Sequence, residues 1–439
     1  MNTTQSLSAP ATVLGAATEA ENRLFRKVAL HILPVLMLGY LAASVDRVNI
    51  GFAKLHMAAD LNFSDAVYGF GAGIFFLGYF IFEVPSNVIL HRVGARMWIA
   101  RIMATWGIVS ALTMFVSTPL QFYAVRFLLG VAEAGFIPGV IYYLSNWFPA
   151  QRRGRVMGVF YIALALSGFI GGPVSGLILQ TLSGAGGMAG WKWLFLIEAL
   201  PTLVIAVLVY ATLDKDIASA RWLDDSERAT LQGMIDAESR SKTHLSLRSM
   251  MFNRHVQIMS VIFFCGIFAM YGLGFWMPTL IKNMGVKSDL SIGLMSAVPS
   301  LFAIASMVGF GRSADRMRER RWHLATLYLL GAVGLALSVL WEHDPLLGIV
   351  ALCIANMGIL AIPPLFWSLP TAILGGAAAA AGIAWINSFA NLAGFLGPYV
   401  VGYVKQSTGT TEAAVWLLAI VLIAGAALIL TLPRRMVNR

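Results

Sequence analysis

Charge is what this sequence lacks. Of its 439 residues 12% are Asp, Glu, Lys or Arg and 58% are apolar, whereas a soluble chain carries about 25% charged residues. That scarcity excludes an ordinary soluble domain. Cysteine is nearly missing too: Cys265 and Cys353 both lie in apolar segments, so no disulfide framework and no metal site follows from them. There is no Walker-type Gly-rich loop and no metal-ligand cluster, which argues against ATP-driven transport and against catalysis, and no cofactor is expected. The first twenty residues hold no Lys or Arg, so residues 1–22 read as a flexible tail rather than a cleaved signal. A net charge of +10 would suit nucleic acid, but the basic residues sit in short loops between apolar segments. That is a topogenic pattern, not a nucleic-acid face.

What is present is a series of apolar stretches, each close to the ~20 residues that a bilayer demands. Twelve are expected: Val28 past Asp46, Ala66–Leu90, Met97–Val116, Pro119–Asn146, Arg155–Leu179, Trp191–Leu213, His255–Lys282, Ser291–Arg312, Trp322–Trp341, Pro345–Trp367, Ala378–Tyr403 and Glu412–Leu432. The polar stretch Asp214–Arg254 divides the chain near its middle. The expected organisation is a tail 1–22, a six-helix bundle 23–213, a cytoplasmic linker 214–254, a second bundle 255–433 and a tail 434–439. With the linker left out, one side receives sixteen Lys or Arg, among them Arg23, Arg92, Arg152, Arg316 and Arg434. The other receives five: Lys54, Lys192, Lys282, Lys287 and Lys405. That asymmetry puts both termini and the linker in the cytoplasm.

The halves look like copies. Gly168-Phe169-Ile170-Gly171, followed by Pro173, matches Gly394-Phe395-Leu396-Gly397, followed by Pro398. Pro138 meets Pro364 at the same spacing of 226 residues. Two six-helix halves around a midplane site give an alternating-access transporter.

The stretch Gln121–Arg155 carries charge at membrane depth. Arg126 and Glu133 are seven residues apart and so share one helix face. An ionisable group there costs roughly 3 kcal/mol or more, so it should face a water-filled cavity. By residue count Arg47 and Arg126 lie in the outer half, with Glu133 about 10 Å deeper. Two guanidiniums at one level could hold a carboxylate by bidentate hydrogen bonds. The alternative is a pair of structural ion pairs, Arg47 with Asp46 and Arg126 with Glu133.

Several motifs carry a resemblance. The halves, the long linker and Gly311-Arg312-Ser313-Ala314-Asp315-Arg316 resemble the major facilitator superfamily. Asp46-Arg47-Val48-Asn49, Phe82-Glu83-Val84-Pro85-Ser86-Asn87 and Gly130–Gly139 running into Trp147-Phe148-Pro149 are similar to its anion:cation symporter family. In the second half, Leu369-Pro370-Thr371 and Asn387–Asn391 fit the branch of the tartrate permeases. The resemblance implies an all-α fold of twelve transmembrane helices in two pseudo-symmetric halves. It also implies proton-coupled uptake of small organic acid anions such as tartrate, hexonates, phthalates or hydroxyphenylacetate, in a bacterial-type inner membrane.

Carried over, Asp46 and Glu133 would be the protonation sites. Arg47, Tyr79 and Arg126 would form the anion-binding end, and Asn391 a contact from the second half. One departure matters: where sugar-acid members place a glutamine, this chain has Ala163-Leu164-Ala165-Leu166, so a sugar acid would lack a hydroxyl partner there.

The residues themselves suggest further roles. Trp276 and Asn387 join Asn391 as expected substrate contacts, the two amides sharing one face at a spacing of four. His91, Arg92, Asp315 and Arg316 are expected to gate the inner side by charge pairing. Glu83 reads as packing or gating, and Glu198 as a cap or a pair near the outer end of its helix. Protonating a carboxylate would free an arginine for the anion; Glu133 is favoured as the carrier and Asp46 as the latch on Arg47. The partners implied are an organic acid anion, protons and the bilayer, with no nucleic acid, and the protein is expected to work as a monomer. The runner-up function is an anion exchanger without net proton coupling.

Overall fold

The computed structural model describes residues 11–240, 252–373 and 376–434. The ends of the two expected tails (1–10 and 435–439) and linker residues 241–251 therefore lie outside the described residues. All regular structure among the described residues is helical.

In the first half, α1 is Ala11–Asp60, α2 Asp65–Val93, α3 Ala95–Leu112, α4 Pro119–Glu133, α5 Phe136–Ser145, α6 Ala150–Leu182 and α7 Gly190–Thr212. The polar middle contributes α8, Asp225–Arg240. The second half follows with α9 Arg254–Asn283, α10 Asp289–Met317, α11 Arg321–Leu340, α12 Pro345–Ile359, α13 Ile362–Phe366, α14 Ser368–Ile373, α15 Gly376–Thr408 and α16 Glu412–Thr431. Among the described residues, eleven spans are long and apolar enough to cross a membrane, α4 with α5 making one and α12 to α14 another. The 33-residue α15 stands beside them.

Two expectations need correcting. Helix α1 begins at Ala11, inside the stretch 1–22 expected to be a flexible tail. It also runs on to Asp60, since Pro34 is the only proline in its length and no glycine pair breaks it. The fourth span is not one helix. Pro138 has no N–H to give the Ala134 carbonyl, and Gly135 takes the left-handed φ of +88° that a side chain would resist.

The halves repeat one arrangement. Helix α6 packs on α1 of its own half and α10 of the other, while α15 packs on α9 and α2. Closeness along these seams needs glycine. A Cβ on Gly172 would come within 2.7 Å of the Gly293 carbonyl oxygen, and one on Gly73 within 2.5 Å of that of Phe395.

One face of the bundle carries the 214–240 segment. There Lys27 pairs with Glu227, Trp222 stacks on His31 with centroids 4.2 Å apart, and Tyr143 donates to the Asp214 carbonyl at 2.9 Å. This is the linker face. The opposite, far face is shut by contacts between halves. Asp65, paired with Lys54 of its own half at 2.7 Å, accepts Lys405 of the other at 3.3 Å, His56 meets Asp289 at 2.8 Å, and Tyr68 donates to the Phe275 carbonyl at 2.8 Å.

Candidate functional site

Between the halves lies an open cavity lined by residues of both, a concave and mostly apolar site of the kind that takes small ligands. Helices α1 and α2 give it Tyr40, Arg47, Phe75, Phe76 and Tyr79. The wall continues through Ile137 of α5, Tyr161 and Leu164 of α6, and Phe263, Ile267, Met270 and Tyr271 of α9. Pro363 of α13, Trp367 and the α15 residues Asn387, Ala390 and Asn391 complete it. The wall is aromatic, with charge at one place and amides at another.

The charge is Arg47. Its Nη2 donates to Glu133 Oε1, and its Nη1 donates to the Tyr271 hydroxyl of the other half at 3.2 Å. The Phe75 and Tyr79 ring centroids each stand 5.6 Å from its guanidinium carbon. Cavity water therefore meets a cation already held by a fully buried carboxylate and by aromatic faces, which favour cations.

This pairing corrects two expectations. Arg47 lies thirteen residues before the far end of α1, and Glu133 fourteen residues into α4, so both are about 20 Å below the far face at 1.5 Å per residue. Glu133 is level with Arg47 rather than deeper, because α1 is longer than its apolar run suggests. Asp46 is no latch on Arg47. Consecutive helix residues point about 100° apart, and Asp46 turns into the first bundle. It accepts from Trp106 Nε1 at 2.9 Å, Ser110 Oγ at 3.0 Å and Thr202 Oγ1 at 3.1 Å. It is 1% exposed and lines no cavity described here.

Arg126 lies about 10 Å nearer the far face than Glu133. It is wholly buried, its guanidinium carbon 5.5 Å from the Phe75 centroid, and its three side-chain nitrogens have no hydrogen-bond partner among the described residues. It is not on the cavity wall. Trp276 is not on it either. Its ring takes Lys54 Nζ at 3.9 Å from the centroid and its Nε1 donates to the Pro398 carbonyl at 3.3 Å, which places it in the far-face closure.

Asn387, Asn391 and Tyr79 do line the wall. The residue that the sequence left in the background is Glu83. It is buried on α2, and each oxygen of its carboxylate accepts an amide from α15: Asn387 Nδ2 at 3.1 Å and Asn391 Nδ2 at 3.1 Å. The signal was its spacing, one turn beyond Tyr79 on the same face of α2. Tyr40 and Tyr161 were likewise missed as a polar fringe within the aromatic wall.

The expected gating residues make no charge pairs. His91 sits edge-on to Tyr142, centroids 4.2 Å apart, and Arg92, Asp315 and Arg316 are exposed, with no side-chain partner among the described residues. Each lies at the end of α2 or α10, where water solvates charge as well as a neighbour would.

A second open space lies behind α1. It shares Arg47, Leu164, Met270 and Tyr271 with the first and adds a polar edge from Ser44, Asn49, Ser167, Ser175, Ser300 and Asn356.

Two like bundles around a midplane cavity, with a buried ion pair at its wall, are the build of a membrane transporter rather than of an enzyme. The comparisons agree. Residues 36–398 match the Major Facilitator Superfamily, and the chain belongs to it. It is 47% identical to the "Putative metabolite transport protein NicT" of Pseudomonas putida, over 95% of this chain and 96% of that one. A "Putative tartrate transporter" of Agrobacterium vitis is 46% identical over 95% and 96%. The "Inner membrane transport protein RhmT" of Escherichia coli is 36% identical over 93% and 94%. Among solved structures, a D-xylose-proton symporter superposes with a TM-score of 0.72 at 16% identity, over 92% of this chain and 98% of that one. An inward-facing bacterial homologue of the lysosomal transporter Spinster gives 0.69 at 15%, over 91% and 95%. At such identities these two speak for the fold alone.

Proposed function

We propose that the protein imports a small organic acid anion together with protons, by alternating access, across a bacterial inner membrane. The linker face and both termini would be cytoplasmic, as the loop charges require, and the closed far face external. The units would be the two bundles 23–213 and 255–433, working as a monomer.

The observation that carries this reading is the Arg47–Glu133 pair at the cavity wall. While Glu133 is ionised it occupies the guanidinium. Protonation removes that claim, and the fork of Arg47 can take a substrate carboxylate in two parallel bonds. The incoming anion then replaces the charge that the proton cancelled, so the loaded cavity is no more charged than the empty one. That matters because moving net charge through a hydrophobic seam is costly. Tyr79 and Tyr271 flank the carboxylate, and Asn387 and Asn391 face its other end. Arg126 is the second basic contact, reached when the far face opens. Asp46 is a second protonation site, inside the bundle. The tartrate in the name of the Agrobacterium relative supports a hydroxy acid, and the aromatic wall an aryl carboxylate.

The test is uptake into proteoliposomes of tartrate, gluconate, phthalate and 4-hydroxyphenylacetate, with and without an inward proton gradient. Gradient-driven accumulation of one of them by the wild type is expected. Glu133→Gln should lose accumulation and keep counterflow exchange. Accumulation retained in that variant removes Glu133 as the carrier, and wild-type exchange indifferent to the gradient would make the protein an exchanger.

A further inference from the structure

One buried carboxylate of the first half has no part in this scheme. Glu198 of α7 is 6% exposed; its Oε1 accepts from Ser175 Oγ of α6 at 2.6 Å, and its Oε2 has no partner at hydrogen-bond distance among the described residues, the neutral Asn49 side chain of α1 standing nearest. An ionisable group held at such depth points to function, because burial without a counter-charge is costly. Ser175 lines the second cavity, so Glu198 is one hydroxyl away from that space. Towards the interior, Thr202 stands four residues on, one turn along the same face of α7, and donates to Asp46. Two carboxylates thus bracket one helical turn. Helices α1, α3 and α6 pack against α7. At this level they present Asp46 with Asn49, Trp106 with Ser110, and Ser175, of which only Asp46 titrates. Asp46 itself reaches neither cavity and needs a carrier to exchange a proton with water.

We propose that Glu198 relays protons between the second cavity and Asp46, with Ser175 as its contact to the cavity. A hydronium ion in the cavity gives a proton to Ser175 Oγ as the Ser175 hydroxyl proton passes to Glu198 Oε1. The acid then gives its proton to Thr202 Oγ1 as the Thr202 hydroxyl proton passes to Asp46; both hydroxyls are restored, Glu198 is ionised again, and only O–H bonds break and form. The relay rests on the proton-coupled reading of the transporter. It sets how fast Asp46 is protonated, not how many protons move per turnover.

The experiment compares wild type and Glu198→Gln in proteoliposomes, using whichever of tartrate, gluconate, phthalate and 4-hydroxyphenylacetate the wild type accumulates. Initial gradient-driven uptake should fall at least tenfold, with the final accumulation level unchanged and counterflow within twofold. Glu198→Asp should recover most of the rate, and Ser175→Ala should lower it in the same direction. An equal loss of uptake and counterflow would mean a structural role and overturn the relay; so would no loss in either, or a lowered plateau. Should Glu198→Gln not fold, Ser175→Ala decides by the same comparison. Absence of gradient-driven accumulation in the wild type removes the proton-coupled reading beneath.

Discussion

Arg47 and Glu133, 86 residues apart in the chain, meet as one ion pair where α1 and α4 lie at the same depth. Only the arginine reaches the cavity wall. Breaking such a buried pair costs about 3–5 kcal/mol because the survivor keeps an uncompensated charge. A ligand carboxylate that replaces Glu133 avoids that cost. The pair is therefore poised for exchange of partners.

Arg47→Lys tests the geometry of that exchange. Lysine keeps the charge but loses the planar fork that bonds Glu133 and Tyr271 at once. Loss of one charge-assisted bond, about 1.5–3 kcal/mol, is a roughly 10- to 100-fold weaker Kd. Binding measured by intrinsic tryptophan fluorescence should show it, and an unchanged Kd would mean that the fork does not hold the anion.

Glu83 should couple to the two asparagines it joins. Glu83→Ala leaves Asn387 and Asn391 without their acceptor, and the triple alanine variant removes donors and acceptor alike. Residues in one hydrogen-bond network are non-additive by about 0.5–3 kcal/mol. The uptake defect of the triple variant should therefore be smaller than the product of the separate defects. Simple multiplication of the defects would show that the α2–α15 bridge has no functional weight.

How much of this was legible in the sequence follows from where each residue sits. The bundles and the duplicated Gly/Pro pattern could be read because hydropathy and Gly/Pro spacing are properties of the chain alone. Arg47, Tyr79, Asn387 and Asn391 were expected at the cavity and line it. The pairings could not be read. Asp46 and Arg47 are neighbours, which suggests a pair, yet the helical turn sends one to Trp106 and the other to Glu133. Glu83 and Trp276 depend on which helix of the other half lies opposite, and no periodicity within a helix reports that.

Arg126 should be stabilised by removal of its charge. All three nitrogens of a wholly buried guanidinium lack hydrogen-bond partners among the described residues, and a buried charge whose donors are unsatisfied is destabilising. Arg126→Met fills a similar volume with apolar atoms. The variant should melt a few degrees higher in detergent, while uptake falls at least tenfold. A lower Tm would mean that Arg126 has partners holding the closed state together.

The far-face lock carries the last prediction. Asp65 and Lys54 belong to the first half, Lys405 and Trp276 to the second, and Lys54 stands over the Trp276 ring. Opening this face must break the Asp65–Lys405 bond and lift Trp276 off Lys54, leaving Lys54 with Asp65 in one half and Lys405 alone in the other. Asp65→Asn takes away the charge that holds both lysines, so two ammonium groups would then share one ring without a counter-ion. That loss falls on the closed state more than on the open one, and a shift of about 1.4 kcal/mol is tenfold in their ratio. A cysteine at Phe52, which lines the second cavity, reports the change in a chain whose buried Cys265 and Cys353 have been replaced by alanine. In oriented vesicles its alkylation by an impermeant maleimide from the far side should quicken several-fold with Asp65→Asn. A rate that does not change would mean that apolar contacts, such as those along Gly69 and Gly73, keep the face shut by themselves.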